Sequence, residues 1–533
     1  MKKLNSASIL SILFLLGILV MINAIGIRYF LRTDLTSSKI YSLSKSSKDV
    51  AAKLDDKVLI KAYFSPNLPS PLNTNERYLR DMLEDYRAFS HGKLRYEFVK
   101  PDDEKKFTEE AESFGIPPRQ IQSVANDKFE VKMAYMGLVV IYRDKKEALP
   151  VIQNTDNLEY EITSLIKRLS ARKNPILGIA SIGGEQNQAT MQKLYEALGR
   201  NYDVQPIDLD QRIDKSVNAV MVLAPRQPFT DNQLYNLDQY IMNGGKVGMF
   251  MNSYQANLGG GGQQPMGMPY NLNVNRFLNN YGIGLNEDIV IDTKCNAVQS
   301  PAQQGFIKYM QTFQIPFMPI IQSFNKANVI TRDLQQVAAF FPSSVDTTLA
   351  KNKGYKVEGL LYSSDFSGRQ SGPMVYILPL NYMKKTDFLE KGIPIAAIVS
   401  GKFTSFFAQT GAPKDSAGAT PKEPLVPACT AENRLLICGD GNMSLDSFVQ
   451  DPRQTLFLQN AADWLVQEND MISIRSKEVP HRPLKDIPDF LKKVVKWANL
   501  IAPSVLIIFC GIGLWQARRI RKKALTAHYG ESK

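Results

Sequence analysis

Two apolar runs, one near each end of the chain, constrain this sequence more than any other feature. Ile9 to Ile27 reads ILSILFLLGILVMINAIGI, 19 residues of which only Ser11 and Asn23 are polar. As a helix rising 1.5 Å per residue it spans ~28 Å, close to the hydrocarbon thickness of a bilayer. Lys2 and Lys3 precede it, as in a signal peptide, and Ile22-Asn23-Ala24 would be a poor cleavage site. The run exceeds the ~7–15 residues of a signal h-region, which favours a retained anchor over a cleaved leader. At the other end, Ala498 to Trp515 is apolar, with Trp497 and Trp515 at its edges and Pro503 in its first turns as a source of a kink. Indole rings favour the headgroup boundary, and a basic cluster holds a helix end in the cytoplasm. Arg518, Arg519, Arg521, Lys522 and Lys523 follow at once, which argues against a buried core helix. Lys2 and Lys3 give the same sign at the first span. The expected topology is in–out–in, in a bacterial cytoplasmic membrane, with residues 31–496 on the periplasmic side.

Composition narrows the class. A length of 533 residues suits two or three domains. An apolar fraction of 44% and a charged fraction of 22% exclude a disordered, collagenous or coiled-coil chain. Mean hydropathy of −0.21 excludes a multi-span permease. The net charge, 64 − 52 = +12, invites a nucleic-acid reading, but Lys2 and Lys3 supply +2 and the tail from Arg518 supplies +5. About +5 remains for everything between, and no nucleic-acid partner is expected.

Between the spans, strands and helices alternate. Val58–Phe64 is β-prone, and Leu79, Met82, Leu83, Tyr86 and Phe89 fall at helical spacing. Leu94–Val99 alternates as a strand, Ala111–Phe114 reads as helix, and Tyr135–Tyr142 with Glu147–Ile152 forms a hairpin around Arg143–Lys146. This β-α-β-α-β-β order predicts a thioredoxin-like domain over 31–155, without the Cys-x-x-Cys of a redox enzyme. A connecting helix over 156–174 follows. Ile176–Ile182 and Val217–Ala224 are continuous apolar runs, the mark of parallel strands buried on both faces. Thr230 and Gln233 form a capping box for the helix between Val217–Ala224 and the strand Lys246–Met251, and Gly244-Gly245 closes that helix. Residues 175–475 are therefore expected as a doubly wound, flavodoxin-type α/β domain. A module of about 270–430 is inserted, 476–496 is a linker, 497–516 the second span and 517–533 the cytoplasmic tail. Cytoplasmic residues 1–8 precede the first span, 9–30.

The chemistry is defined by absences. No Gly-x-x-x-x-Gly-Lys-Ser/Thr occurs, and Gly244-Gly245-Lys246 reads as a helix stop. His91, His481 and His528 have no Ser or Cys motif beside them. No cofactor, metal or catalytic residue is expected. Gly183-Gly184-Glu185 follows a buried strand and precedes a helix, at the carboxyl edge where open α/β sheets hold ligands. A structural turn and a ligand or partner edge are both open there. Cys429 and Cys438 flank a strand and form a candidate disulfide, or small apolar packing.

Arg32-Thr33-Asp34-Leu35-Thr36 and Ile40-Tyr41-Ser42-Leu43-Ser44 follow the first span. In Asp34, Leu35, Thr36, Tyr41, Leu43 and Ser44 this resembles the opening motif of the GldG-like family, gliding-motility-associated auxiliary components of an uncharacterised ABC-type transport system. Leu223-Ala224-Pro225, Asp238-Gln239-Tyr240, Gly439-Asp440 with Asn442, and Asn460-Ala461-Ala462-Asp463-Trp464-Leu465 agree with it. Where relatives often carry Gly-His-Gly-Glu, this chain has Ile182-Gly183-Gly184-Glu185. The resemblance implies a membrane-anchored, non-enzymatic periplasmic subunit, substrate-binding or coupling, beside a separate ATPase and permease. It also implies a glutamine-amidotransferase-like sheet, without the nucleophile of that activity. Other expected partners are the bilayer and an unknown solute or envelope component. The alternative is an envelope carbohydrate-binding protein or hydrolase using sheet-edge carboxylates such as Glu185 and Asp208.

Overall fold

The computed structural model describes residues 42–466 except 67, 70–71, 100–103, 126–127, 153–154, 156–157, 172, 184–187, 258–263, 305–306, 333, 414–423 and 450, together with 511–521 and scattered single positions outside that span. The chain divides into two units, Met1–Val479 and Pro480–Lys533.

The first unit opens with an α/β module. Its elements are α1 (Lys45–Ala52), β1 (Val58–Phe64), α2 (Leu72–Phe89), β2 (Leu94–Val99), α3 (Glu104–Ser113), β3 (Arg119–Ala125), β4 (Lys128–Ala134), β5 (Met136–Tyr142), β6 (Lys145–Leu149) and α4 (Leu158–Ser170). The sheet order is β2-β1-β5-β6, with β1 parallel to β2 and antiparallel to β5. Leu79, Met82, Leu83 and Tyr86 of α2 are buried as their spacing predicts, and each fully buried aliphatic side chain contributes ~1.5–3 kcal/mol. Phe89, the last of that stripe, is 40% exposed because the helix ends there. The turn between β5 and β6 is only Arg143-Asp144, with Arg143 at φ +54°. Lys145 and Lys146, expected in the loop, extend the strand because β6 is an edge on which their side chains stay in water.

The central sheet takes β7 (Ile176–Ala180), β8 (Asp203–Pro206), β9 (Val217–Leu223) and β10 (Lys246–Phe250), with α5 (Gln192–Gly199) and α6 (Asp231–Met242) between them. A long hairpin follows, β11 (Cys295–Gln304) and β12 (Ile307–Ile321). Then come β13 (Ser323–Phe324), β14 (Lys356–Tyr362), β15 (Pro394–Gly401), β16 (Asn433–Cys438) and α7 (Leu456–Val466). The order is β13-β14-β15-β16-β10-β9-β7-β8. Strands β8, β7, β9, β10 and β16 are parallel, and β13 to β15 are antiparallel. The inserted stretch of about 270–430 thus lends three strands to the same sheet.

Successive residues of the parallel strands face opposite cores. Leu177, Ile179, Met221, Leu223, Phe250 and Leu436 pack with α5 and α7, through Leu194, Leu198, Phe457 and Leu458. Ile176, Ala180, Val220, Val222, Val247, Met249, Leu435 and Ile437 pack with α6, through Leu234, Leu237 and Ile241. Helices on both faces explain why these strands read as continuous apolar runs. The capping box is present: Gln233 N–H donates to Thr230 Oγ1 at 3.2 Å, and Thr230 N–H to Gln233 Oε1 at 3.1 Å. Gly244 follows at φ +92°.

The candidate disulfide is corrected. Cys429 and Cys438 are free thiols and belong to opposite faces, Cys429 to the α6 core and Cys438 to the α7 core. Cys429 Sγ donates to Ile241 O at 3.4 Å and Cys438 Sγ to Asp440 O at 3.8 Å. The sheet itself separates them.

The expected spans, 9–30 and 497–516, fall largely outside the described residues, as do Lys2, Lys3, Lys522, Lys523 and the linker 476–496. Among the described residues, no helix is long and apolar enough to cross a membrane. The described positions in these segments are helical. Phe14, Leu15, Ile18, Met21, Phe509, Leu514 and Trp515 are exposed there, and Arg518, Arg519 and Arg521 continue the helix of 511–521.

Candidate functional site: the carboxyl edge of the central sheet

From β7 the chain crosses to β8 on one side, and β9 then lies on the other side of β7. The gap between the carboxyl ends of β7 and β9 is therefore the switch point of the sheet, where open α/β folds form their ligand crevice. Gly183 leaves β7 at φ +112°, a left-handed conformation that L side chains rarely adopt. A Cβ on it would also stand 3.0 Å from Arg226 Cβ. Arg226 N–H donates to Ile182 O at 2.7 Å and clamps the two strand ends together. Gly184 and Glu185 lie outside the described residues.

Leaving β9, Ala224 takes φ +43°, an uncommon conformation for a residue with a Cβ. Its Cα would stand 2.7 Å from a Cβ on Gly441, so the Leu223-Ala224-Pro225 turn and the Gly439–Asn442 turn fit only as small residues against each other. Beyond them is a polar hub. Asp440, fully buried, accepts from Phe340 N–H at 2.6 Å, Asn442 N–H at 2.9 Å and Asn252 Nδ2 at 3.4 Å. Asn252 Oδ1 accepts from Gly441 N–H at 2.9 Å, and its amide donates to Phe341 O at 2.9 Å. Burial pushes the Asp440 carboxyl up to about 7, against the downward pull of these donors. Asp440 is thus a fastener between β16 and the 340–341 segment, closed off from solvent.

The hub aims one side chain outward. Asn442 Nδ2 donates to Phe340 O at 2.9 Å, which turns its Oδ1 to accept from Arg226 Nη2 at 2.6 Å. Arg226 Nη1 donates to Tyr270 OH at 3.2 Å. Burial raises the Tyr270 phenol and the Arg226 charge opposes that rise. The edge thus presents a half-buried guanidinium held by two neutral partners.

The other predicted site residues serve structure. Leu43 is buried, and Ser44 caps α1, accepting from Ser47 N–H at 3.1 Å. Ser44 N–H and Ser47 Oγ both donate to Glu159 Oε1 of α4, at 2.7 and 2.6 Å. Asp34, Leu35, Thr36 and Tyr41 lie outside the described residues. Asp208 is on an exposed turn after β8 and accepts from Asp210 N–H at 2.9 Å. Among the described residues no group of three or more His, Cys, Asp or Glu side chains gathers as a metal site. Arg226, Tyr270 and Asn252 were not legible as site residues. The usable signal was position, since Arg226 and Asn252 each come within three residues of the end of an apolar parallel strand.

The family described as an ABC-type uncharacterized transport system matches residues 174–473, which span the whole central sheet. The chain belongs to this family, as an auxiliary component of such a system. A domain of unknown function, DUF7088, matches residues 37–141 of the first module. An uncharacterized protein of Borreliella burgdorferi (strain ATCC 35210) is 21% identical over 512 residues, covering 92% of this chain and 94% of the relative. A solved structure called mmIFT52 N-terminal domain aligns with a TM-score of 0.31 at 14% identity, over 55% of this chain and 97% of that one.

Proposed function

We propose that this chain is a two-span, membrane-anchored auxiliary subunit of an ABC-type transport system, non-enzymatic, whose large extracytoplasmic part couples a separate permease and ATPase to a solute or envelope component. The observation that carries this reading is the family match across the central sheet. The membrane assignment rests on the two apolar runs with their basic flanks, and on the exposed helical positions within them. Charge on the same side of both runs favours cytoplasmic termini and a periplasmic body. We read residues 31–155 as thioredoxin-like, because one parallel and two antiparallel pairings in the order β2-β1-β5-β6 follow that pattern. Residues 175–475 are read as the doubly wound domain, of flavodoxin or glutamine-amidotransferase type.

Coupling suits the chain better than diffusive capture, since two anchors fix a subunit in place. Reporter fusions test the topology: a periplasm-active enzyme inserted between residues 414 and 423 should be active, and the same enzyme at the C-terminus should be inactive. The reverse pattern overturns the assignment.

A further inference from the structure

We propose that the open face of a small sheet, formed by Tyr254–Asn257, Met266–Pro269 and Val375–Tyr376, is a docking surface for a second copy of this chain. The two copies meet through the same face across a two-fold axis. The proposal is independent of the carboxyl edge and of assembly with a transporter.

The sheet is antiparallel, with Met266–Pro269 in the middle. Successive side chains turn to opposite faces. Tyr254, Val375 and Ile377 are buried in the core that also holds α5 and α7. Gly267 turns the same way, and a Cβ on it would stand 3.1 Å from Ile289 Cδ1. On the other face the register sets Met266 opposite Tyr376 and Gln255 opposite Met268. Met374 and Leu378 flank Tyr376 at a spacing of two and share that face, since exposure alternates from 374 to 378. An antiparallel sheet with one face in water ordinarily places polar residues there. Elsewhere this chain does so, with Arg95 and Glu97 exposed on β2 and Lys145 and Lys146 on β6. Here Met268, Met374, Tyr376 and Leu378, with Tyr382 in the turn that follows, are 42–67% exposed. Among the described residues between 42 and 466, these are five of the eleven large apolar side chains that stand exposed. Exposed apolar groups gathered in this way mark an interaction surface, where scattered ones do not.

Charge, area and composition select the occupant. None of the residues that the register places on this face is charged. A two-fold axis sets each residue near its own counterpart, so a neutral face meets itself without like-charge repulsion. Lys384 and Lys385 come after Tyr382 and are exposed, at a rim where they stay in water. The five side chains leave roughly 500 Å² of surface open, at ~200 Å² for a fully exposed side chain of this size. A standard interface buries ~800 Å² per partner, and about 65% of a homodimer interface is apolar. The open area therefore matches the apolar part of one copy's share. Methionine and tyrosine are enriched in such interfaces, and unbranched methionines adjust their shape to an identical facing surface.

The test measures the mass of the full chain in detergent by light scattering, with the detergent's contribution subtracted. The expected protein mass is twice 59.8 kDa. The double variant Met268→Glu with Tyr376→Glu should raise the dimer dissociation constant at least tenfold. Both positions are exposed, so its thermal transition should match that of the wild type. Met268→Lys with Tyr376→Lys should weaken the dimer equally, and an equimolar mixture of the two variants should restore it, because opposite charges then face each other. A monomeric wild type overturns the proposal. So does a glutamate variant that dimerises as tightly as the wild type, which would place the contact elsewhere, the apolar terminal runs included. If the wild type is monomeric and only the glutamate variant loses a copurifying permease, the face belongs to that partner and the second-copy reading falls.

Discussion

The residues that mark the family in sequence are mostly small or polar, and the structure gives several of those it describes a mechanical reason. Gly439 shows how strict these reasons are. A Cβ there would lie 1.8 Å from Ser343 O, where β16 meets the 343 segment. Gly439→Ala should therefore destabilise the chain by about 3 kcal/mol, as forced overpacking does, read from chemical denaturation. A loss under about 0.5 kcal/mol would contradict the contact. Asp440 makes a pH-dependent statement. Its folded carboxyl is raised to about 7 by burial, above its value in an unfolded chain. The folded state then holds the extra proton between about pH 4 and 7, so this group's contribution falls as pH rises through that window and is level above it. Asp440→Asn lacks the titrating group, so the wild-type-minus-variant difference in Tm should fall as pH rises from about 4 to 7, and a difference independent of pH would contradict it. Gly183 was legible as an edge residue because glycine after a buried strand has few other uses. Arg226 was not, since one arginine in a loop has no signature until the sheet order makes it a neighbour of Gly183.

At the scale of elements, the parallel strands and the helices between them were legible because burial on both faces writes itself as unbroken apolar runs. The β11–β12 hairpin was not. Pro301, Pro316 and Pro319 lie within it, and proline argues against a strand because it has no N–H to give the ladder. The β3–β4 hairpin was missed for a different reason, since RQIQSVA and KFEVKMA bear too few apolar residues to stand out. Helix ends were legible where side chains cap them. Thr230→Ala should cost about 1 kcal/mol by removing half of the capping box on α6. Urea unfolding measures this, and an unchanged midpoint would show that the reciprocal Gln233 contact suffices alone. Glu159 on α4 has a larger task, because it receives both Ser44 N–H and Ser47 Oγ at the start of the first module. Glu159→Ala leaves those buried donors without their acceptor and should cost about 2 kcal/mol or more. Glu159→Gln, which keeps an acceptor oxygen, should lose less; equal losses would contradict the role given to that oxygen.

At the scale of the whole molecule, the motif pieces scattered along the chain meet at two kinds of place. Leu223–Pro225 and Gly439–Asn442 form the carboxyl edge. Asp238, Gln239, Tyr240, Asn460 and Asp463 are fasteners on the helices that cover the sheet. Asp238 alone accepts from Tyr281 OH, Ser405 Oγ and Phe406 N–H, at 2.6, 2.6 and 2.8 Å. Gln239 Oε1 accepts from Val426 N–H at 2.8 Å, and Asn460 Nδ2 donates to Ile330 O at 2.9 Å. Such fasteners tie the covering helices and the neighbouring loops to the central sheet. The same architecture separates Cys429 from Cys438, so both thiols should alkylate on denaturation without reductant; an intact bridge by mass spectrometry would contradict the assignment of these cysteines to opposite faces. The central claim is membership of a working transporter, and gentle detergent extraction of the tagged full chain, followed by mass spectrometry of what copurifies, tests it most directly. The account expects an ABC ATPase and a multi-span permease in stoichiometric amounts. Recovery of the chain alone, or only with wall material, would contradict it.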